Sequence, residues 1–382
     1  MPDRDPTALP ATVPAGALAG TTSASLPDSL RYEGLDAFRV VGVLGVVFVH
    51  VYLALGKGWL SPSVDLLLRL RACALPGVIL TSFFVVTRSL LAHPDQRFAQ
   101  LFARRFWRLE VPCLLWTAIY WILRDDVPQL LAGRFPPPPP ATLWLSGFDH
   151  LWFLQFLMLG AVLAYPFIRL VVRCQKLRWV MVAACVSTAL AYGTWIRPYL
   201  QLQTATGWVL RADTSLQIAI RQSLSFATYI PVGVAFALSA DAIRGLYQRW
   251  MFHALTIAAL AAALTLQLSM ALPAVSRLLY STAVFVVLLR PWRPGLLAWL
   301  EPMARYSYLI YILHPLVTRG AAMLVTRAQL RPSGAALAAA SLAVFAASGL
   351  IAASLRAIMP RDGVLPVVPV RMSGGRGAVP RP

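Results

Sequence analysis

Blocks of about twenty apolar residues recur along the whole chain, and they constrain its fold more than any other feature. A helix of that length rises roughly 30 Å, the thickness of a bilayer's hydrocarbon core. Ten such blocks can be marked, at roughly 37–56, 68–87, 106–123, 150–172, 178–196, 223–240, 251–269, 272–289, 304–325 and 335–357. Charged residues make up 13% of the 382 residues, about half the share of an average soluble domain. The expected fold is an all-α integral membrane protein of about ten transmembrane helices, and a soluble globular fold is excluded.

Residues 1–30 are rich in Ala, Thr, Ser and Pro and lack both a basic segment and an apolar core of the signal-peptide kind. They are expected to form a disordered tail, as are the Pro-, Gly- and Arg-rich residues 358–382, leaving 31–357 as the membrane domain. The run PPPPP at 136–140 is expected to be a stiff polyproline II spacer in a loop. The net charge of +19 suggests a nucleic-acid partner at first sight, but Lys and Arg gather in the cytoplasmic loops of any multispan protein. With the N-terminus inside, 22 of the 34 Lys and Arg fall on the cytoplasmic side. Both termini are therefore expected in the cytoplasm, with no nucleic acid bound. The other 12 include Arg69 and Arg71, which are awkward to place. The four cysteines, Cys73, Cys113, Cys174 and Cys185, stand singly in or beside apolar segments and form no ligand cluster, so no metal is expected.

Charged groups and histidines inside spans are costly, which makes them candidates for function. The first span opens at Asp36 and Arg39 and carries His50 eleven residues further on. At 100° per residue Arg39 and His50 share one face, roughly 16 Å apart along the axis, and Asp36 belongs to the same stripe. Spacing alone fits a snorkelling arginine and a histidine hydrogen-bonded within the bundle as well as it fits a functional pair. The third span begins ARRFWRLEVP, with Arg104, Arg105 and Arg108 at its cytoplasmic end and Glu110 a little deeper. Guanidinium groups bind phosphates through paired hydrogen bonds, although positive-inside charge explains the cluster too. The fourth span begins FDHLWFLQFLMLG, where Asp149 adjoins His150 and Trp152 follows. The ninth reads ARYSYLIYILHPLV, with Tyr308, Tyr311 and His314 at three-residue steps and Pro315 interrupting the helix after the histidine.

In this order, these signals resemble the membrane-bound acyltransferase-3 family, whose familiar members are bacterial polysaccharide O-acetyltransferases. RYEGLDAFRVVGVLGVVFVH is similar to the family's opening, an LDxxR followed by a membrane histidine. LPGVILTSFFVVTRSLL, RRFWRLEVPCLLW, HLWFLQFLMLGAVLAYPF and YSYLIYILHPLV resemble its second, third, fourth and late Tyr/His-Pro spans. The resemblance covers roughly residues 31–325, with one departure at 86–88, where Val-Thr-Arg stands in place of a frequent Ser-Gly-Phe. It implies a cytoplasmic acyl-CoA donor, usually acetyl-CoA, a glycan hydroxyl as acceptor, no permanently bound cofactor, and residence in the bacterial inner membrane. It further implies His50 as the catalytic residue, and Arg39, Arg104, Arg105 and Arg108 as the acyl-CoA site. Asp36, Glu110, Asp149, His150, Trp152, Tyr311 and His314 fall to the acceptor side or to support. The length leaves no room for the extracytoplasmic hydrolase-like domain some members carry, so a second transfer step is expected to need another glycan-assembly protein. Two other readings fit the same composition: a flippase of lipid-linked glycans, and a non-catalytic partner in a glycan-assembly complex.

Overall fold

A bilayer core has no water to take up backbone N–H and C=O groups, so an apolar chain must pair them within itself, and helices do so segment by segment. The computed structural model describes residues 32–56, 61–136, 138–197, 215–269, 273–292, 297–327 and 333–358, and among them are helices and turns but no strand. The two expected tails lie outside the described residues, except for residue 358, and so does Pro137 of the proline run.

The first helix, α1 (Glu33–Val51), runs on into a π turn, Tyr52–Gly56. Helix α2 (Pro62–Leu70) is capped by Ser61, whose Oγ accepts from the Val64 N–H at 3.3 Å. A 3₁₀ turn, Arg71–Cys73, joins it to α3 (Ala74–Ala92). Next come α4 (Phe98–Arg105), a π turn at Phe106–Glu110, and α5 (Val111–Trp121), followed after a second π turn by α6 (Val127–Leu131). Helix α7 (Ala141–Ser146) and a 3₁₀ turn at Asp149–Leu151 lead into α8 (Trp152–Arg173), and α9 (Arg178–Ala191) ends in a π turn, Tyr192–Ile196. The remainder is α10 (Ser215–Phe226), α11 (Tyr229–Leu246), α12 (Trp250–Ser269), α13 (Pro273–Leu288), α14 (Glu301–Ala304), α15 (Ser307–Arg327) and α16 (Gly334–Ile358).

Each of the ten expected spans falls on helix, and eight helices among the described residues are long and apolar enough to cross a membrane. The other two differ for physical reasons. Around 106–123 the arginines and Glu110 interrupt the apolar run, and α5 itself has only 11 residues. The span expected at 272–289 is the shorter α13, of 16 residues. The second span is longer than expected, 31 residues from Pro62 to Ala92, because α2 continues into α3 through the 3₁₀ turn.

The core lies where α3 packs along α11 and α1 packs against α3, α15 and α16, and it includes Ile79, Leu80, Phe83, Tyr229, Phe285 and Ile310. Small residues let the backbones approach, as they do in membrane helix pairs generally. A Cβ on Gly233 would lie 2.9 Å from the Leu80 carbonyl oxygen, and one on Gly34 would overlap the carbonyl oxygen of Leu288. A backbone oxygen cannot rotate away, so Gly34→Ala is expected to destabilise the protein by about 1–3 kcal/mol. Thermal unfolding of the purified protein in detergent checks this; an unchanged midpoint would mean that α1 and α13 do not meet so closely.

Candidate active site

Helix α1 begins with Glu33 and Asp36 in its first turn, where the helix dipole favours acids, and ends with His50 in its last, where it favours bases. Arg39 donates to Asp36 Oδ1 at 3.2 Å, a half-exposed pair one turn apart. Eleven residues of helix then carry the same face to His50, about 16 Å away.

His150 reaches the site by way of a sharp turn. Gly147, at φ 68°, redirects the chain between α7 and the 3₁₀ turn, and a Cβ there would lie 2.9 Å from the backbone of Leu151 and Trp152. The Phe148 N–H donates to Thr117 Oγ1 at 3.2 Å, and Tyr120 stacks on the Phe148 ring at 5.7 Å, so α5 holds this turn in place. His314 comes from α15. Pro315 has no N–H, which leaves the Tyr311 carbonyl without its helical donor, and that carbonyl lies beside the imidazoles of both His150 and His314. Tyr120 donates its hydroxyl proton to the Ile312 carbonyl one residue further on and so braces the interrupted stretch.

Three histidines far apart in sequence therefore meet. The ring centroids are 4.9 Å apart for His50 and His314, 5.0 Å for His150 and His314, and 5.6 Å for His50 and His150. His314 is fully buried and His150 is 5% exposed, whereas His50 is half-buried and forms the accessible member of the triad. His314 Nδ1 is 3.3 Å from the Ile310 carbonyl oxygen. With its proton on Nδ1, His314 donates to that carbonyl and Nε2 keeps its lone pair. That Nε2 and both ring nitrogens of His150 are buried, with the Tyr311 carbonyl beside both rings. Three imidazoles in contact set basic ring nitrogens against His50, the accessible one.

Tyr311 ties the triad together: its hydroxyl donates to the His150 carbonyl at 2.6 Å and its ring lies 5.1 Å from the His150 imidazole. Removing that hydroxyl loosens His150 without touching the basic end. In Tyr311→Phe, acyl-transfer turnover is expected to fall about threefold to tenfold, the worth of one buried hydrogen bond, with KM for the acyl donor unchanged. Wild-type turnover in that variant would remove Tyr311 from its positioning role.

At the other end of the same face, the basic residues do not all converge. Arg108 is exposed to solvent and lies within electrostatic reach of Arg39 and of Tyr308 on α15. Arg105 lies near Arg108 and donates to Ser82 Oγ at 2.9 Å. Arg104 is exposed and donates to the Gln100 carbonyl within its own helix, at 3.3 Å. Arg39, Arg105 and Arg108 thus form the basic cluster, with Arg104 apart from it. Glu110 accepts from Gln155 Nε2 at 3.3 Å, which joins α8 to the π turn, and Tyr308 lies in its electrostatic reach. Since Tyr308, Tyr311 and His314 follow one another on α15, that helix runs beside α1 in the same direction, from the basic cluster to the triad.

Trp152, two residues after His150, stacks on Phe226 with centroids 6.1 Å apart and is half-buried. The side chain of Asp149 lies outside the described residues. No group of three or more His, Cys, Asp or Glu among the described residues is arranged to hold a metal ion.

A family model described as an acyltransferase domain, that of the acyltransferase-3 family, matches residues 32–353. The chain belongs to the acyltransferase-3 family. No curated protein and no solved structure matches it. As an acyltransferase-3 protein with eight long apolar helices, the chain is a multi-pass membrane acyltransferase. The matched acyltransferase-3 range begins at Tyr32, before α1, and ends inside α16, so it contains both the basic cluster and the histidine triad.

Sequence spacing placed His50, His150 and His314 in or beside spans, but did not bring them together. Of three supporting residues, two carry no signal in the sequence. Tyr120 and Thr117 are ordinary span residues until the turn at Phe148 packs on them. Gly147 was open to detection, since a Gly after a Ser and just before a helix start marks a turn.

Proposed function

We propose that this acyltransferase moves an acetyl group from cytoplasmic acetyl-CoA to a hydroxyl of an exported or cell-surface glycan, an exopolysaccharide or lipopolysaccharide sugar, at the bacterial inner membrane. The observation that carries the reading is the continuous face with Arg39 and Arg108 at one end and His50, backed by His150 and His314, at the other.

The donor is a long, thin molecule with a polyanionic nucleotide at one end and a thioester at the other. Arg39, Arg105 and Arg108 hold its phosphates through charge-assisted hydrogen bonds, and Arg104, although exposed, adds positive potential at the same mouth. The arm then runs along α1 and brings the thioester carbonyl to His50. A ring nitrogen of His50 takes the proton from the acceptor hydroxyl as its oxygen bonds to the carbonyl carbon. The carbon–sulfur bond breaks, the sulfur leaves with the bonding pair, and it receives the proton His50 holds. The products are an ester and the free thiol. Transfer through an acyl-imidazole on His50 balances equally, in two displacements. His150 and His314 stand behind His50, and Trp152, two residues after His150, lies on the acceptor side.

Mass spectrometry of glycans from cells with and without the chain tests this reading. An acetyl group lost from one sugar on deletion is the expected result, and identical glycans would contradict it.

A further inference from the structure

Positive charge inside a membrane protein is costly unless something negative meets it. Arg71 lies in the 3₁₀ turn between α2 and α3, Arg197 directly follows the π turn that ends α9, and Arg277 stands near the start of α13. Helix α13 packs on both turns, and its Tyr280 hydroxyl donates to the Leu70 carbonyl at 3.0 Å, beside the first. Arg277 is thereby within electrostatic reach of both Arg71 and Arg197. Tyr229, fully buried at the start of α11, is within reach of Arg197 and Arg277.

The Nε atoms of all three arginines are buried and make no hydrogen bond, and the buried Tyr229 hydroxyl has only the Ser281 side chain beside it as a polar neighbour other than the arginines and Cys73. Nearby Ser281 gives its own proton to the Arg277 carbonyl, at 2.7 Å. No carboxylate among the described residues forms an ion pair with any of the three guanidiniums. Arg69, two residues before Arg71, shows the contrast: it bonds Asp65 at 2.7 Å and the Leu268 carbonyl at 2.5 Å. Arg197 is 8% exposed, while Arg71 and Arg277 are half-buried and leave a way in.

This cluster is distinct from the one at Arg39. A Cβ on Gly45 would lie 3.5 Å from the Arg71 Cβ, and Gly45 is about 140° round α1 from His50. Arg71 therefore meets a different face of α1 from the one that carries Arg39 and His50. The link to the triad runs through rings: Tyr229 to Phe226 at 6.2 Å, then Phe226 to Trp152 at 6.1 Å.

We propose that Arg71, Arg197, Arg277 and Tyr229 form a second anion site, which takes the phosphate or diphosphate group of the acceptor or of its carrier. Three guanidiniums and a phenol supply the many donors that a tetrahedral dianion accepts, and among the described residues no acid pairs with them instead. The inference rests on the glycan-acceptor reading above: a phosphate held here sets its attached sugar against Trp152, beside the triad.

The test uses the full chain in a phosphate-free maltoside detergent, with inorganic pyrophosphate and a polyprenyl phosphate as probes, read by native mass spectrometry and thermal shift. Either probe is expected to bind and raise the unfolding temperature; binding of pyrophosphate points to a soluble phosphate, and of polyprenyl phosphate alone to a lipid headgroup. With excess coenzyme A present to fill the Arg39 cluster, Arg197→Gln and Arg277→Gln are each expected to weaken binding about tenfold or more, the worth of a charged hydrogen bond, while Arg277→Lys retains part of it. Without a probe Arg197→Gln is expected to unfold at a higher temperature than the wild type, having lost a buried charge with no acidic partner among the described residues. Binding of neither probe, or binding that survives Arg277→Gln, overturns the site. If the protein transfers no acyl group yet binds a probe through Arg197 and Arg277, the glycan reading fails and the site stands. If transfer proceeds and neither probe binds, the site alone fails.

Discussion

In His50→Ala, acyl transfer is expected to fall by at least about 10²–10⁴-fold, the contribution of a positioned general base, while membrane insertion and expression remain normal. The size follows from where His50 sits. It is the accessible ring of the triad, and His150 and His314 behind it are almost wholly enclosed. Neither can reach a substrate hydroxyl in its place without repacking α8 or α15. The stability cost is small by comparison, because His50 is half-buried at the end of its helix rather than in the tightly packed core. Activity in detergent-solubilised membranes, normalised to protein amount, separates the two effects. Near-normal transfer would show that the proton leaves by another route.

Arg39→Ala is expected to raise KM for acyl-CoA about tenfold or more with a much smaller change in kcat, since a charged hydrogen bond contributes roughly 1.5–3 kcal/mol and this one acts some 16 Å from the chemistry. The loss is moderated because Arg108 lies close enough to share the load. The double variant Arg39→Ala/Arg108→Ala is accordingly expected to lose more than either single one. Raised ionic strength should weaken donor binding in the wild type and much less in the double variant. An unchanged KM in Arg39→Ala would take Arg39 out of the donor site.

Helical periodicity made much of this legible. The distance and angle between Arg39 and His50 follow from one helix, and so does the alignment of Tyr308, Tyr311 and His314. Both are properties of a single face and need no tertiary information. The meeting of the three histidines is different in kind, because it depends on which faces of α1 and α15 pack together and on a turn that brings His150 beneath them. That turn depends on Gly147, Thr117 and Tyr120, whose roles appear only once the turn at Phe148 packs on α5. The basic cluster shows a second limit. Arg104 and Arg105 stand four and three residues before Arg108, both within one helical turn, and spacing does not choose between them. The packing does, since Arg105 turns to Ser82 while Arg104 bonds back to its own helix. Arg71 was awkward as an outer-loop residue because it is not in a loop at all: it stands within the long helical span from Pro62 to Ala92.

Radiolabelled acetyl-CoA, incubated with membranes carrying the protein and with glycan extracted from the same cells, tests whether an acyl group passes at His50 from acyl-CoA to a glycan. Label is expected to appear in the glycan with the wild-type chain and to be absent with His50→Ala at equal protein level. Label in the glycan with both, or with neither under any acyl-CoA supplied, would contradict it.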